Sequence, residues 1–251
     1  MSAVEVVVLV LAGLAAGGVN AVAGGGSLVS FPALLALGLP PLTANVTNSV
    51  AIWPGYVGTS WGYRRELATQ GGRLRRLLPA AVLGGVVGCV LLLSTSQSVF
   101  EAIVPLLVIA GSLLLAVQGR VTEGARSMPG GRDGERSVLL HVGIGLAAVY
   151  GAYFGGGLGV VLLAVLGLFV ADGLQQLNAL KSSLSLVING VALLAFSLFG
   201  PVDWLSVAVL APASLAGGYL GARVARRLDP ATLRTAVVLF GLAVGVALLL
   251  R

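Results

Sequence analysis

Charged side chains are scarce in this chain of 251 residues: Asp, Glu, Lys and Arg together make up 10% of it. A soluble globular domain carries about 25% charged residues. Hydrophobic residues reach 57%, and the mean hydropathy is +1.02. This composition excludes the ordinary soluble classes of protein and indicates a chain that lies in a membrane.

Acidic residues are missing from the interiors of the long apolar segments. Glu5, Glu101 and Asp203 all lie near segment ends. Carboxylates inside a membrane typically form proton relays or cation sites. The sequence therefore predicts neither a carboxylate proton relay nor a carboxylate cation site.

Cysteine and histidine each occur once, as Cys89 and His141. One cysteine excludes an internal disulfide and a metal-binding cysteine pair. One histidine without a buried carboxylate lacks the parts of an intramembrane protease or metalloenzyme. We predict no cofactor, no metal and no enzymatic activity. Ser185 lies one helical turn from Lys181, so a membrane-embedded Ser-Lys enzyme stays open as a minor alternative.

Apolar segments of roughly bilayer-spanning length recur along the chain. About 20 helical residues cross a hydrocarbon core roughly 30 Å thick. Such segments occupy residues 3–22, 42–63, 77–93, 99–117, 174–199, 202–220 and 236–250. Met1–Leu11 lacks the basic residues that begin a signal peptide, so we expect the first segment to be retained. The predicted fold class is an all-α polytopic membrane protein.

The apolar segments fall into two halves of five, separated by one polar linker. We assign residues 1–118 to a first membrane repeat, 119–137 to a cytoplasmic linker and 138–251 to a second membrane repeat. The second segment of each half, at about residues 26–38 and 157–170, is too short to cross a bilayer comfortably. We expect these two segments to form broken helices or arms of re-entrant hairpins.

Arginines indicate the orientation of the two halves. They cluster at Arg64–Arg76 in the first half, at Arg223–Arg227 in the second and in the central linker. Cytoplasmic loops of membrane proteins are enriched in Lys and Arg. Placing all three regions in the cytoplasm requires the halves to be inverted repeats. Because the net charge of +6 comes from such loops, we expect no nucleic-acid partner.

A triple glycine precedes the short segment in each half: Gly24, Gly25 and Gly26 before Ser27, and Gly155, Gly156 and Gly157 in the second half. The first N–H groups of a helix have no intrahelical partner and carry partial positive charge. Glycine also lets a ligand approach the backbone closely, so each break predicts an anion site. The alternative is that these glycines let helices pack closely.

A polar face follows in the third segment of the second half, where Asn178, Lys181, Ser182, Ser185 and Asn189 share one side of a helix. A charge inside a membrane costs about 2.5–3.5 kcal/mol on insertion scales and is usually functional. An ammonium flanked by hydroxyl and amide groups suits an oxyanion. The alternative is that Lys181 extends to the lipid headgroups.

The third segment of the first half carries a matching polar face. Asn45, Asn48 and Ser49 lie at helical spacing. Alignment of the two segments places Thr47–Ser49 opposite Lys181–Ser183. Interhelical hydrogen bonds would explain these residues equally well. For Asn20, just before the first break, we expect a capping role.

At these residues the chain resembles the TauE/SafE family of sulfite/organosulfonate exporters. The resemblance rests on the stretches Asn20–Ser27, Phe31-Pro32, Ala44–Ser49, Tyr153–Gly157 and Lys181–Ser183. It covers nearly the whole chain as a two-fold repeat, although Leu163 stands where the first half has Pro32. The resemblance implies an inner-membrane carrier for small sulfur-containing anions such as sulfite or sulfoacetate.

The residues and the resemblance together predict a transporter that works by alternating access around a site at the membrane midplane. An anion-selective channel is the first alternative. The expected partners are a small anion, the lipid bilayer and a coupling ion, whereas the oligomeric state stays open. The residues predicted to bind the anion are Gly24, Gly25, Gly26, Ser27, Asn45, Asn48, Ser49, Gly155, Gly156, Gly157, Lys181, Ser182 and Ser185.

Overall fold

A computed structural model describes residues 1–127, 138–224 and 230–250, and these ranges contain helices and no strands. The helices are α1 Ala3–Val22, α2 Ser27–Ala36, α3 Pro41–Gly62, α4 Arg64–Leu67, α5 Gly71–Leu93, α6 Gln97–Ser127, α7 Val138–Tyr153, α8 Leu158–Phe169, α9 Leu174–Phe199, α10 Trp204–Val224 and α11 Pro230–Leu249. The all-α prediction is confirmed.

Six of the described helices are long and apolar enough to cross a membrane. They are Ala3–Val22, Gly71–Leu93, Gln97–Val117, Leu174–Phe199, Trp204–Val224 and Thr232–Leu249. Helix α3 has 22 residues but is more polar than these six. Large apolar side chains such as Leu83 and Leu198 point outward and are exposed, as expected of a surface that faces lipid.

Local sequence signals set where several helices begin. Ser2 and Glu5 form a capping box at the start of α1. Helix α3 begins with Pro41, whose missing N–H costs nothing in the first turn. The Asp203 carboxylate accepts a hydrogen bond of 3.1 Å from the Ser206 N–H and so caps α10.

Each triple glycine interrupts the chain and is followed by a short helix, as predicted. Helix α2 has 10 residues and α8 has 12. The breaks use backbone conformations that favour glycine, with φ of 85° at Gly24, 77° at Gly155 and 86° at Gly157. Pro32 lies inside α2, whereas α8 has Leu163 at the equivalent position. The second break therefore forms without a proline there.

The helices of each half pack mainly against helices of the other half. The first helix of each half packs on the fourth membrane helix of the other half, giving the pairs α1 with α10 and α5 with α7. Helix α3 also packs on α10, and α5 packs on α9. Neither half therefore forms a separate bundle, and the core lies where the halves interlock.

Contacts along the helices give their relative directions. Helices α1 and α10 run parallel, because Gly13 contacts Leu210 and Gly17 contacts Ser214. Helices α3 and α9 run antiparallel: Gly200, at the end of α9, lies against Val46 near the start of α3. Helices α6 and α11 are also antiparallel, since Ser112 contacts Gly241 and Ile109 contacts Gly245. Two pairs of corresponding helices, α3 with α9 and α6 with α11, therefore point in opposite directions.

Helix α6 extends beyond the apolar segment that ends the first membrane repeat. Helix α6 continues to Ser127, so residues 119–127 of the assigned linker are helical. A helix propagates through polar residues once it has started, and this stretch contains only one glycine after residue 119 and no proline. The turn-forming run Pro129–Gly131 lies outside the described residues.

Candidate functional site

The two glycine breaks cross each other inside the protein. The Gly159 N–H donates a hydrogen bond of 3.1 Å to the Gly24 carbonyl oxygen. A Cβ atom added at Gly24 would lie only 2.6 Å from the Gly159 Cα, so the backbones meet directly. A Cβ added at Gly155 would lie 3.5 Å from the Ser27 Oγ. The glycines therefore let the two backbones pack closely, which is the role that the sequence offered as the alternative to anion binding.

Part of the first break is already hydrogen-bonded within the protein. The Asn20 Oδ1 accepts a hydrogen bond of 2.8 Å from the Gly26 N–H, so Asn20 caps the break as expected. The Leu28 N–H donates to the Gly25 carbonyl at 3.0 Å. Within the described ranges, the N–H groups of Gly25 and Ser27 have no hydrogen-bond acceptor. Fewer backbone N–H groups at the start of α2 are therefore free to bind an anion than the sequence suggested.

The second break has the same arrangement. The Leu158 N–H donates to the Gly155 carbonyl at 3.2 Å, and the Gly159 N–H is used by Gly24. The N–H groups of Gly156 and Gly157 have no acceptor among the residues that the structure describes. The Tyr150 hydroxyl donates to the Gly156 carbonyl and holds the break in place.

Lys181 is buried beside the end of α1, just before the first break, with 1% of its surface exposed. Its Nζ donates to the Asn178 Oδ1 at 3.0 Å and to the Ala21 carbonyl at 3.4 Å. Ala21 belongs to the last turn of α1, where helix carbonyls carry partial negative charge. The ammonium therefore points into the protein rather than extending to the headgroups.

Asn45 makes the corresponding contact from the other half. Its Nδ2 donates to the carbonyl oxygen of Tyr153, the last residue of α7, at 2.9 Å. Lys181 on α9 reaches the end of α1, and Asn45 on α3 reaches the end of α7. The polar helix of each half is thus hydrogen-bonded to the end of the first helix of the opposite half.

Other predicted residues are engaged locally. The Ser49 hydroxyl donates to the Asn45 carbonyl at 3.0 Å, one turn back in its own helix. In α9 the Asn189 Nδ2 donates to the backbone carbonyl oxygen of Ser185, also one turn back, at 2.9 Å. The Asn48 Oδ1 accepts from the Ser30 hydroxyl at 2.5 Å and so joins α3 to α2. Interhelical bonding thus explains part of the first-half polar face.

Six buried polar atoms around the crossing have no hydrogen-bond partner in the described part of the chain. Leaving such a group unpaired costs about 1–3 kcal/mol. In native proteins each such group calls for an explanation, and a binding role is one. The atoms are Asn20 Nδ2, Ser27 Oγ, Asn45 Oδ1, Asn48 Nδ2, Ser182 Oγ and Ser183 Oγ.

Sequence reasoning missed Tyr56, which is 5% exposed and whose hydroxyl lies beside the side chains of Asn20 and Asn189. It stands eleven residues after Asn45, and therefore on the same face of α3. Helical periodicity alone would have identified it. Ser30 was also missed, although it lies one turn after Gly26 on α2.

The predicted residues are thus brought together, but they are enclosed. Ser27, Lys181, Ser182 and Ser185 are all at least 98% buried. Of the three cavities described, each of about 400 Å³, none is lined by a predicted site residue. The side chains of these residues are therefore shielded from solvent in this structure.

The family model described as Sulfite exporter TauE/SafE matches residues 9–248. The chain belongs to the TauE/SafE family. The match spans both halves and both breaks, so the resemblance seen in the motifs is confirmed.

Curated relatives agree with this assignment. A probable membrane transporter protein of Haemophilus influenzae is 26% identical over 235 residues, which cover 92% of this chain and 89% of the relative. The probable membrane transporter protein ORF9 of a Sinorhizobium species is 26% identical over 96% of this chain and 91% of its own length. The probable membrane transporter protein YfcA of Escherichia coli K12 is 27% identical over 88% and 79%, respectively.

No solved structure matches the chain significantly. The family and the apolar helices together make this a multi-pass membrane transporter.

Proposed function

We propose that this transporter carries a small oxyanion, such as sulfite or sulfoacetate, across the cell's inner membrane by alternating access. The observation that carries the proposal is the buried Lys181 ammonium at the end of α1, together with the buried and unpaired hydrogen-bond donors on α1, α2, α3 and α9. The family description supports the sulfur-containing substrate class.

The charge of the cluster favours an anion. Lys181 is paired only with neutral oxygens, those of Asn178 and Ala21. Among the described residues, the buried polar side chains include no aspartate or glutamate. The positive charge is therefore not neutralised by the protein, and a desolvated cation interacts strongly with an anion that reaches it.

The unpaired groups suit an oxyanion. Ser27 and Ser182 offer hydroxyl donors, and Asn20 and Asn48 offer amide donors. The N–H groups of Gly25 and Gly156 add backbone donors at the starts of short helices. Several such donors would match the several oxygens of a compact anion. The predicted glycines would contribute through these N–H groups as well as through packing.

Antiparallel packing supports the inverted arrangement of the halves. Helix α3 runs opposite to its counterpart α9, and α6 runs opposite to α11. A two-fold axis in the membrane plane would generate this relation and would put the crossing near the midplane. Motion of the interlocked pairs α1–α10 and α5–α7 against each other would expose the cluster to one side and then to the other.

Flux measurements in proteoliposomes test the proposal. We expect saturable uptake of sulfite or sulfoacetate, inhibited by the transported anions and unaffected by simple carboxylates. The enclosed cluster supports a carrier, so we expect no single-channel currents in planar bilayers. Unitary anion currents would assign a channel instead. Response of the flux to an imposed proton or sodium gradient identifies the coupling ion.

A further inference from the structure

An apolar groove of about 400 Å³ lies on the outer surface between α3 and α10. Its lining includes Val57, Trp61, Pro212, Leu215 and Tyr219. Its floor is closed by Gly58, where an added Cβ would clash with the Leu215 carbonyl. From Pro212 to Tyr219 the groove runs for about 10 Å along the helix axis.

Two arginines stand over aromatic rings at one end of this groove. The Arg64 guanidinium carbon lies 5.6 Å from the centre of the Trp61 ring, and that of Arg223 lies 4.3 Å from the centre of the Tyr219 ring. The two helix ends are adjacent, because an added Cβ at Gly62 would lie against the Ala222 side chain. Both guanidiniums therefore border the same end of the groove.

We propose that the groove binds an anionic glycerophospholipid of the surrounding bilayer. The phosphate group binds between Arg64 and Arg223, and part of one acyl chain fills the apolar groove. Guanidinium groups bind phosphate oxygens in a bidentate manner. Basic residues beside a cleft between membrane helices are a typical headgroup site, and exposed Trp and Tyr lie at the same depth.

A lipid fits this groove better than a second copy of the chain. A symmetric dimer places the same patch of both copies face to face. Arg64 and Arg223 of one copy would then meet the same two residues of the other, and four like charges would approach without acidic residues in the groove lining. An anionic headgroup removes this repulsion, whereas a zwitterionic headgroup does so only in part.

Quenching of Trp61 by brominated lipid tests the proposal. The chain has three tryptophans, so Trp53→Phe and Trp204→Phe together leave Trp61 as the reporter. The protein is reconstituted in phosphatidylcholine nanodiscs that contain brominated phosphatidylglycerol or, in a parallel sample, brominated phosphatidylcholine. We expect at least about five-fold stronger apparent association of phosphatidylglycerol, because one arginine near the surface contributes about this factor.

The double variant Arg64→Gln/Arg223→Gln should abolish the preference, and Arg75→Gln, which removes an equally exposed arginine elsewhere, should retain it. Native mass spectrometry of the wild-type chain gives a second readout, with retained phosphatidylglycerol expected. Equal quenching by both lipids, unchanged in the double variant, would overturn the proposal. A second result would also overturn it: Leu215→Cys forms disulfide-linked dimers, and neither brominated lipid quenches Trp61. The groove would then hold a second copy of the chain.

Discussion

The Lys181 ammonium lies 3.4 Å from the carbonyl oxygen of Ala21, which joins the polar helix of the second half to the broken helix of the first. Asn45 makes the reciprocal contact with Tyr153 at 2.9 Å. Both bonds end on the last turn of a helix that stops at a glycine break. The proposed site is therefore shared between the halves, and movement of one half against the other alters it directly.

The crossing of the breaks predicts a sharp difference between two glycines. Gly24 and Gly38 have nearly the same φ, 85° and 87°. A Cβ at Gly24 would lie 2.6 Å from the Gly159 Cα, whereas at Gly38 nothing lies within 4 Å. We expect Gly38→Ala to cost about 1 kcal/mol of stability from backbone strain, and Gly24→Ala to cost about 2 kcal/mol more from overpacking. Thermal unfolding in detergent measures both, and equal losses would contradict the crossing.

Ser27 and Ser30 predict opposite effects on stability and binding. The Ser27 hydroxyl is buried and has no partner among the described residues, whereas the Ser30 hydroxyl bonds to Asn48. Ser27→Ala should leave the melting temperature unchanged or slightly higher and weaken anion affinity about five-fold, the value of one hydrogen bond. Ser30→Ala should lower the melting temperature. A destabilised Ser27→Ala variant with wild-type affinity would contradict the assignment.

Arg73 and Asp172 form an ion pair between the halves, and the Gln70 Nε2 donates to the same carboxylate at 2.7 Å. The pair is mostly buried, with 16% and 20% of the two side chains exposed, so each single neutral variant should cost about 2 kcal/mol. Arg73→Gln and Asp172→Asn should be strongly non-additive in a double-mutant cycle, measured by thermal unfolding. Additive losses would mean that the two side chains do not interact in the membrane.

Topology is tested by labelling single cysteines in a Cys89→Ala background. We expect Arg73→Cys and Arg226→Cys to react from the same side of the membrane, because both belong to arginine-rich stretches of the sequence. Ser98→Cys, in the first turn of α6 and next to the α5–α6 loop that lacks basic residues, should react from the other side. Labelling of positions 73 and 226 from opposite sides would exclude inverted halves.

Much of the architecture follows from local sequence features. Apolar length identifies the spanning helices, and the triple glycines mark both breaks because glycine alone adopts their backbone conformations readily. Lys181 was singled out because a charge within an apolar segment is rare. Helix α6 continues past residue 118, where the apolar segment ends, since polarity marks the membrane boundary rather than the end of a helix.

Other features depend on contacts between distant residues. That Gly24 meets Gly159, and that Lys181 meets Ala21, follows from how the halves interlock, which no local pattern encodes. In the same packing, several N–H groups that the sequence predicted to be free for an anion form hydrogen bonds within the protein.

The affinity of the Lys181→Ala variant for sulfite, measured by titration calorimetry on the purified protein, tests the central claim most directly. We expect at least about a tenfold loss, the value of one hydrogen bond to a charged group, while Arg75→Gln retains wild-type affinity. Ser182→Ala provides a second test if Lys181→Ala fails to fold, with about a five-fold loss expected from its unpaired hydroxyl. Wild-type affinity in a folded Lys181→Ala variant would contradict the account.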